Sequence, residues 1–182
     1  MEDTQTFDKT ASASPVRNGS VAGRVLAGGL LAGALDLTFA FLFYGPQGAT
    51  PLRILQGIAS GALGRGSFEM GLTSAALGAF FHFFISVCAA GIYYLASLKL
   101  TFLTRRPALA GPIFGVLMFL AMRFVVLPFS AIGYHPMKLG SAIAELCSHM
   151  FLFGMVIAFA VRRSLSAGAA YQVRSSGTTK SL

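Results

Sequence analysis

Four long apolar runs, each carrying an ionisable side chain near its middle, constrain the fold of this chain more than any other feature. These ionisable residues are, in chain order, Asp36, His82, Arg123, and the pair Glu145 and His149. Apolar runs of about 20 residues are typical of membrane-spanning helices. Because a charge at the centre of a spanning helix costs about 2.5–3.5 kcal/mol on insertion scales, each of these residues requires a partner or a function.

The composition agrees with a membrane protein. Of the 182 residues, 55% are hydrophobic and 11% are charged, whereas about a quarter of the residues of soluble domains are charged. We predict an all-α, polytopic membrane protein with one four-helix transmembrane domain over residues 22–163 and spans at about 25–44, 72–96, 108–129 and 139–161. The polar segments 1–21 and 164–182 are predicted to be flexible cytoplasmic arms.

A shorter amphipathic segment lies between the first and second spans. Thr50 can cap a helix and Pro51 can open one. Four apolar residues of the segment then share one helical face: Leu52, Leu55, Ile58 and Ala59. A helix over residues 51–63 is too short to cross a bilayer. We predict a short interfacial helix, with a re-entrant half-helix as the alternative.

The basic residues are distributed unevenly about the spans and predict an orientation. Ten of the fourteen Lys and Arg residues precede the first span, follow the fourth span or lie in the loop between the second and third spans, and three lie on the opposite side. By the positive-inside rule, both termini then face the cytoplasm. The net charge of +8 suits anionic lipid headgroups as partners. No basic stretch is interleaved with exposed aromatic residues, so we predict no nucleic-acid binding.

Small residues share helical faces with the ionisable ones, which predicts that the charges point into the bundle. Gly29 and Gly33 form a small-residue step on the same face as Asp36, and Gly111 and Gly115 form a second step in the third span. Counting the helical rise along each span places Arg123 level with Glu145, and His82 level with His149. We therefore predict a polar cluster of five residues: Asp36, His82, Arg123, Glu145 and His149.

Within this cluster we expect an Arg123–Glu145 ion pair and a hydrogen bond between Asp36 and a histidine. The leading interpretation is a non-enzymatic structural or partner-binding membrane protein, in which paired charges clamp the helices together. One alternative is a pathway for a proton, an ion or a small solute, formed by a homo-oligomer. Another is a b-type haem or a divalent metal bound at His82 and His149. The chain contains none of the common catalytic motifs, so we predict that it is not an enzyme.

Several motifs carry a family resemblance over about Val25 to Arg163: PLRILQGIASGALG, ALGAFFHFFI, YYLAS, RRP and VVLP. In these motifs the chain resembles a family of small, uncharacterised bacterial integral membrane proteins with four spans and an acidic residue in the first. Through Pro128 and the four-residue steps His82–Ser86 and Glu145–His149, it is more distantly similar to YagU-type inner-membrane proteins. The resemblance implies a multi-pass protein of the bacterial inner membrane and supplies no substrate.

Overall fold

The computed structural model describes residues 20–134 and 136–178, with side chains described as far as Ala167. Over these residues the secondary structure is helical and no strand occurs, which confirms the all-α fold. Most of the predicted N-terminal arm, residues 1–19, lies outside the described residues, as do His135 and residues 179–182.

Four helical runs are long and apolar enough to cross a membrane, which confirms the polytopic fold class. They are Val21–Gln47, Gly71–Lys99, Pro107–Val126 and Leu139–Ala167, with mean hydropathies of 1.8 to 2.1. The elements in chain order are α1 (Val21–Tyr44), a 3₁₀ turn (Gly45–Gln47), α2 (Pro51–Leu63), a 3₁₀ turn (Arg65–Glu69), α3 (Gly71–Lys99), α4 (Phe102–Arg105), α5 (Pro107–Ala121), a π-helical segment (Met122–Val126), α6 (Leu139–Ser148), a second π-helical segment (His149–Gly154) and α7 (Met155–Thr178).

The two ends of the bundle differ in packing. At the end where α1 begins, which we call the terminal end, small and apolar side chains form one closed core. This core contains Val25, Ala32, Ala89, Ala90, Tyr93, Ala110, Phe153, Ile157, Ala158 and Val161. The Tyr93 hydroxyl, deep in the core, donates a hydrogen bond to the Leu103 carbonyl at 2.9 Å. The opposite end, where α2 lies, is the α2 end, and it is the more open half of the bundle.

The two predicted glycine steps are close helix contacts. A Cβ atom built at Gly29 would lie 3.0 Å from the Ala90 Cβ, and one built at Gly111 would lie 2.6 Å from the Met155 Cα. Because small residues let helix backbones approach closely in a membrane, these steps fix α1 against α3 and α5 against the fourth span.

A helix occupies Pro51–Leu63 as predicted, and two polar side chains are buried in it beside Ala59. The buried side chains of α2 are Gln56, Ala59 and Ser60, while Leu52 is exposed. Gln56 Nε2 donates to the Gly71 carbonyl at 3.1 Å, and this bond satisfies an amide that would otherwise be costly to bury. Of the four apolar residues, Ala59 is fully buried and Ile58 lines the cavities described below.

The position of α2 favours the re-entrant alternative over a helix lying on the bilayer surface. The backbone of Leu55 contacts α3 at Gly78. Gly78 lies seven residues inside α3, which is about 10 Å from the start of the helix at 1.5 Å per residue. The second half of α2 also reaches the third loop, because the Ala131 N–H donates to the Gly61 carbonyl at 2.8 Å.

The fourth span continues further than its sequence predicts. α7 runs to Thr178, so the described residues Ser164–Thr178 of the predicted flexible tail are helical. The Ser and Gly content of this stretch suggested flexibility, yet Ser164 is fully buried and its hydroxyl donates to the Ala160 carbonyl at 2.8 Å. Packing at Ser164 therefore supports a helix at the start of this segment despite its weak helix propensity.

Candidate functional site

A cavity of about 220 Å³ lies between α1, α2, α3 and α6, in the half of the bundle nearer the α2 end. Six polar side chains line it: Asp36, Tyr44, His82, Glu145, Ser148 and His149. The rest of its wall is apolar and includes Ile54 and Ile58 of α2. Four of the five residues predicted to cluster therefore meet in one cavity.

Asp36 is held by the fourth span. The Ser148 hydroxyl donates to Asp36 Oδ1 at 2.6 Å, and the same oxygen lies 3.8 Å from His149 Nδ1. A separation of 3.8 Å is too long for a hydrogen bond, so the predicted Asp36–histidine hydrogen bond is replaced by an electrostatic contact. The Asp36 carboxylate instead accepts its hydrogen bond from Ser148.

The orientation of the His149 ring is set by a hydrogen bond within its own span. Its Nδ1 lies 3.0 Å from the Glu145 carbonyl, and because a carbonyl only accepts, Nδ1 carries the hydrogen. The aromatic rings of Phe119 and Phe153 flank the imidazole, with centroids at 5.9 and 5.8 Å. In the neutral ring, Nε2 is then the nitrogen with a free lone pair.

His82 ties α3 to α1 in the same way. Its Nε2 lies 2.9 Å from the Gly33 carbonyl of α1, which assigns the hydrogen to Nε2 and the lone pair of the neutral ring to Nδ1. The Ser86 hydroxyl, one turn further along, donates to the His82 carbonyl at 2.8 Å. Both histidines therefore donate to backbone oxygens rather than to the carboxylates of the cluster.

Glu145 accepts a hydrogen bond from a tyrosine. The Tyr44 hydroxyl, at the last residue of α1, donates to Glu145 Oε1 at 2.5 Å. The sequence places Tyr44 in an aromatic belt at the membrane surface, so its inward role was missed. Only its position, level with Glu145 at the α2 end of a neighbouring span, could have suggested the contact.

Arg123 occupies an adjacent cavity of about 210 Å³, which Glu145 also lines. The guanidinium is buried, and its Cζ lies 4.7 Å from the centroid of the Tyr134 ring. Stacking of this kind is favourable for arginine when it is removed from water. Arg123 and Glu145 are therefore at the same level, as predicted, while their ion pair stays a prediction.

Two of the ionisable residues lie in π-helical segments, which nothing in the sequence signalled. Arg123 is in the segment Met122–Val126, and His149 begins the segment His149–Gly154. A π-turn widens the helix by one residue and is frequent at functional sites. Here the second segment lies where Gly115 contacts the backbone of His149, so the widened turn and the glycine together place the imidazole.

The metal and haem alternatives depend on the histidines and carboxylates that line this cavity. Within the residues that the structure describes, no group of three or more His, Cys, Asp or Glu side chains could hold a metal. A cavity of about 220 Å³ is also below the range of about 300–1,000 Å³ typical of small-molecule and cofactor pockets. The observed hydrogen bonds of both imidazoles are to backbone oxygens.

These features define a class: a polytopic, all-α membrane protein with an intramembrane cluster of acidic, imidazole and hydroxyl groups. Comparison with protein-family models, with curated proteins and with solved structures gave no match. The resemblance to small four-span bacterial proteins, and more distantly to YagU-type proteins, accordingly stays a prediction from the sequence.

Proposed function

We propose that this is a non-enzymatic, multi-pass protein of the bacterial inner membrane that binds protons at the cluster around Asp36 and Glu145. The observation that carries the proposal is the convergence of two carboxyl groups, two imidazoles and two hydroxyls on one cavity of about 220 Å³. Ionisable groups inside membrane-spanning segments are typical of proton and ion sites in membrane proteins.

Both carboxyl groups lie where water and protons can reach them. The Tyr44 hydroxyl donates to Glu145 and the Ser148 hydroxyl donates to Asp36, and a carboxylate offers about four acceptor positions. Both groups line a cavity of about 220 Å³, which has room for several water molecules at about 30 Å³ each. The His149 imidazole lies beside Asp36, with Nδ1 3.8 Å from the carboxylate Oδ1.

The packing favours binding from one side rather than an open channel. The terminal half of the bundle is filled by the apolar core around Ala32, Tyr93 and Ile157, which are almost fully buried. The cavity therefore opens toward the α2 end, and transport would require a rearrangement of the helices. Under the predicted orientation, this end faces away from the cytoplasm.

A structural clamp is the second candidate, and a specific observation favours it. Three hydrogen bonds join α1 to its neighbours: Tyr44 to Glu145, Ser148 to Asp36, and His82 to the Gly33 carbonyl. Interhelical bonds of this type average about 0.6 kcal/mol in a membrane, so together they would hold α1 in register without any ligand.

Infrared difference spectroscopy of the protein in nanodiscs separates the two candidates. On lowering the pH, we expect carboxyl C=O bands from Asp36 and Glu145, and each of Asp36→Asn and Glu145→Gln should remove one band. Both amides retain an oxygen that can accept from Ser148 or Tyr44, so the fold should survive. Glu69→Gln, at an exposed carboxylate, is the matched control and should leave both bands unchanged. If the two cluster variants also leave the spectrum unchanged, the cluster is a clamp.

The proposed orientation has its own test. In a variant lacking Cys88 and Cys147, we expect Lys138→Cys to react with an impermeant maleimide added to intact cells. Arg105→Cys should react only after the membrane is opened. Both positions are exposed at loops of the bundle, so access depends on the side of the membrane. The opposite labelling pattern would reverse the orientation.

A further inference from the structure

A large apolar groove lies on the side of the bundle where α2, α3 and the end of the third span meet. Its volume is about 730 Å³, within the range of about 300–1,000 Å³ that ligand pockets occupy. Its walls are almost entirely apolar, with Ile58 from α2, Phe84 and Ile85 from α3, and Val126 and Phe129 from the third span and its loop. On the surface of four apolar spans, the molecule available to fill such a groove is a lipid chain.

Glycines keep the groove open. A Cβ atom built at Gly57 would meet no atom within 4 Å, and one built at Gly61 would meet only the Ser130 Cβ at 3.8 Å. Protein interiors are normally packed to the density of organic crystals. Larger residues would fit at Gly57 and Gly61 without a clash. The unfilled space beside this glycine face of α2 is therefore available to a ligand.

The groove lies next to the polar cavity of Arg123. Four residues line both spaces: Gly57, Met122, Leu127 and Ile132. The polar cavity presents the Arg123 guanidinium and the Glu145 side chain. An apolar groove thus lies beside a cavity that holds one positive and one negative group.

We propose that the groove and the Arg123 cavity together bind one zwitterionic glycerophospholipid of the ethanolamine type. One acyl chain lies in the groove, the phosphate contacts Arg123, and the primary ammonium points toward Glu145. Arginine is well suited to phosphate because its planar fork donates two parallel hydrogen bonds. An anionic headgroup without an amine would meet Glu145 unfavourably, and the choline headgroup has no N–H to donate to that carboxylate.

The headgroup must supply the selectivity. An acyl chain gains little on moving from the bilayer into an apolar groove, because lipid tails are as apolar as the groove itself. The quantity to measure is therefore the preference among headgroups at this position, compared with a position that contacts bulk lipid.

The absence of tryptophan from the chain makes this measurement direct. Phe81→Trp places a single fluorophore in the groove, and Phe151→Trp places one at an exposed position outside all the described cavities. Quenching by brominated lipids in mixed vesicles then gives relative binding constants at each position. In the groove, we expect ethanolamine lipid to be preferred over choline and glycerol lipids by about fivefold to tenfold, as one or two charge-assisted hydrogen bonds allow. At Phe151→Trp the ratio should be about one, as nonspecific contact with bulk lipid predicts.

Two further substitutions isolate the parts of the site. Arg123→Gln should reduce the headgroup preference in the groove to about one, because the phosphate loses its charged partner. Gly57→Leu fills both spaces and should abolish quenching in the groove by every lipid, whereas Gly91→Leu should not. Gly91 is the matched control, since its built Cβ also meets no atom within 4 Å.

The fluorescence measurements can overturn the lipid proposal, and the infrared measurements separate it from the proton site. Equal ratios at the two tryptophan positions, or a preference for anionic lipid in the groove, would overturn the proposal. Gly57 does not line the cavity of the proton site, so Gly57→Leu should leave the infrared bands of Asp36 and Glu145 in place. Failure of the lipid site and failure of the proton site are therefore distinguishable.

Discussion

Tyr93→Ala should lower the free energy of unfolding by about 3–5 kcal/mol, the range for deleting a large buried aromatic side chain. Tyr93 is the largest of the fully buried side chains, with an exposure of 1%. Its ring packs edge-on against Phe114, with centroids 5.0 Å apart. Loss of the ring would leave a void in the core that closes the terminal end of the bundle. Thermal or SDS-induced unfolding of the purified protein, followed by far-ultraviolet circular dichroism, measures the loss.

Two further variants separate the contribution of the Tyr93 hydroxyl from that of its ring and provide a control at an exposed position. Tyr93→Phe removes only the hydroxyl bond to the Leu103 carbonyl and should cost about 1 kcal/mol, as expected for one hydrogen bond. Leu95→Ala, at a side chain that is 62% exposed on the same helix, should change stability by less than about 1 kcal/mol, because only buried groups leave a cavity. If Tyr93→Ala is no more damaging than Leu95→Ala, the terminal core is not packed as described.

The four spans were predictable because hydropathy is a local property. In a bilayer, an apolar run of sufficient length is stable as a membrane-spanning helix. The four runs observed in the structure coincide with the four predicted spans. The glycine steps were predictable for a related reason. Helices that associate without a hydrophobic driving force need small residues at their contacts, and Gly29 and Gly111 lie at such contacts.

The burial of α2 could not be predicted from its apolar pattern. Its polar face is buried because Gln56 donates to the Gly71 carbonyl and receives the Ser67 hydroxyl on its own carbonyl. Ser74 then donates to the Ser67 carbonyl at 2.5 Å. These partners come from a turn and from α3, so the compensation for burying Gln56 exists only once the chain is folded. The apolar periodicity of α2 therefore did not indicate that Gln56 and Ser60 would be buried beside Ala59.

The depth of each cluster residue along its span was predictable. The direction in which each side chain points around its helix was not. Counting 1.5 Å per residue along each span brought His82 level with His149, and Arg123 level with Glu145. It could not show that Arg123 would border a neighbouring cavity. The π-helical segments that contain Arg123 and begin at His149 change the angle at which these side chains leave the helix, and no residue pattern predicted them.

Gly115→Leu should lower the free energy of unfolding by about 3 kcal/mol, the upper end of the usual cost of overpacking. A Cβ atom at Gly115 would overlap the His149 carbonyl oxygen and lie 2.5 Å from the Met150 Cα. Both obstacles are backbone atoms, so α5 and the second π-helical segment would have to separate. Unfolding in the same detergent system measures the loss, with Gly91→Leu as the control at a glycine that has open space around it.

The same substitution also tests whether this contact positions the functional site. Separation of the two elements would carry His149 away from Asp36, whose carboxylate oxygen lies 3.8 Å from the imidazole Nδ1. In the folded fraction of Gly115→Leu, we therefore expect the infrared band of Asp36 to shift, while the band of Glu69 stays in place. Stability and spectrum that both match Gly91→Leu would show that the fourth span does not depend on Gly115 to place His149.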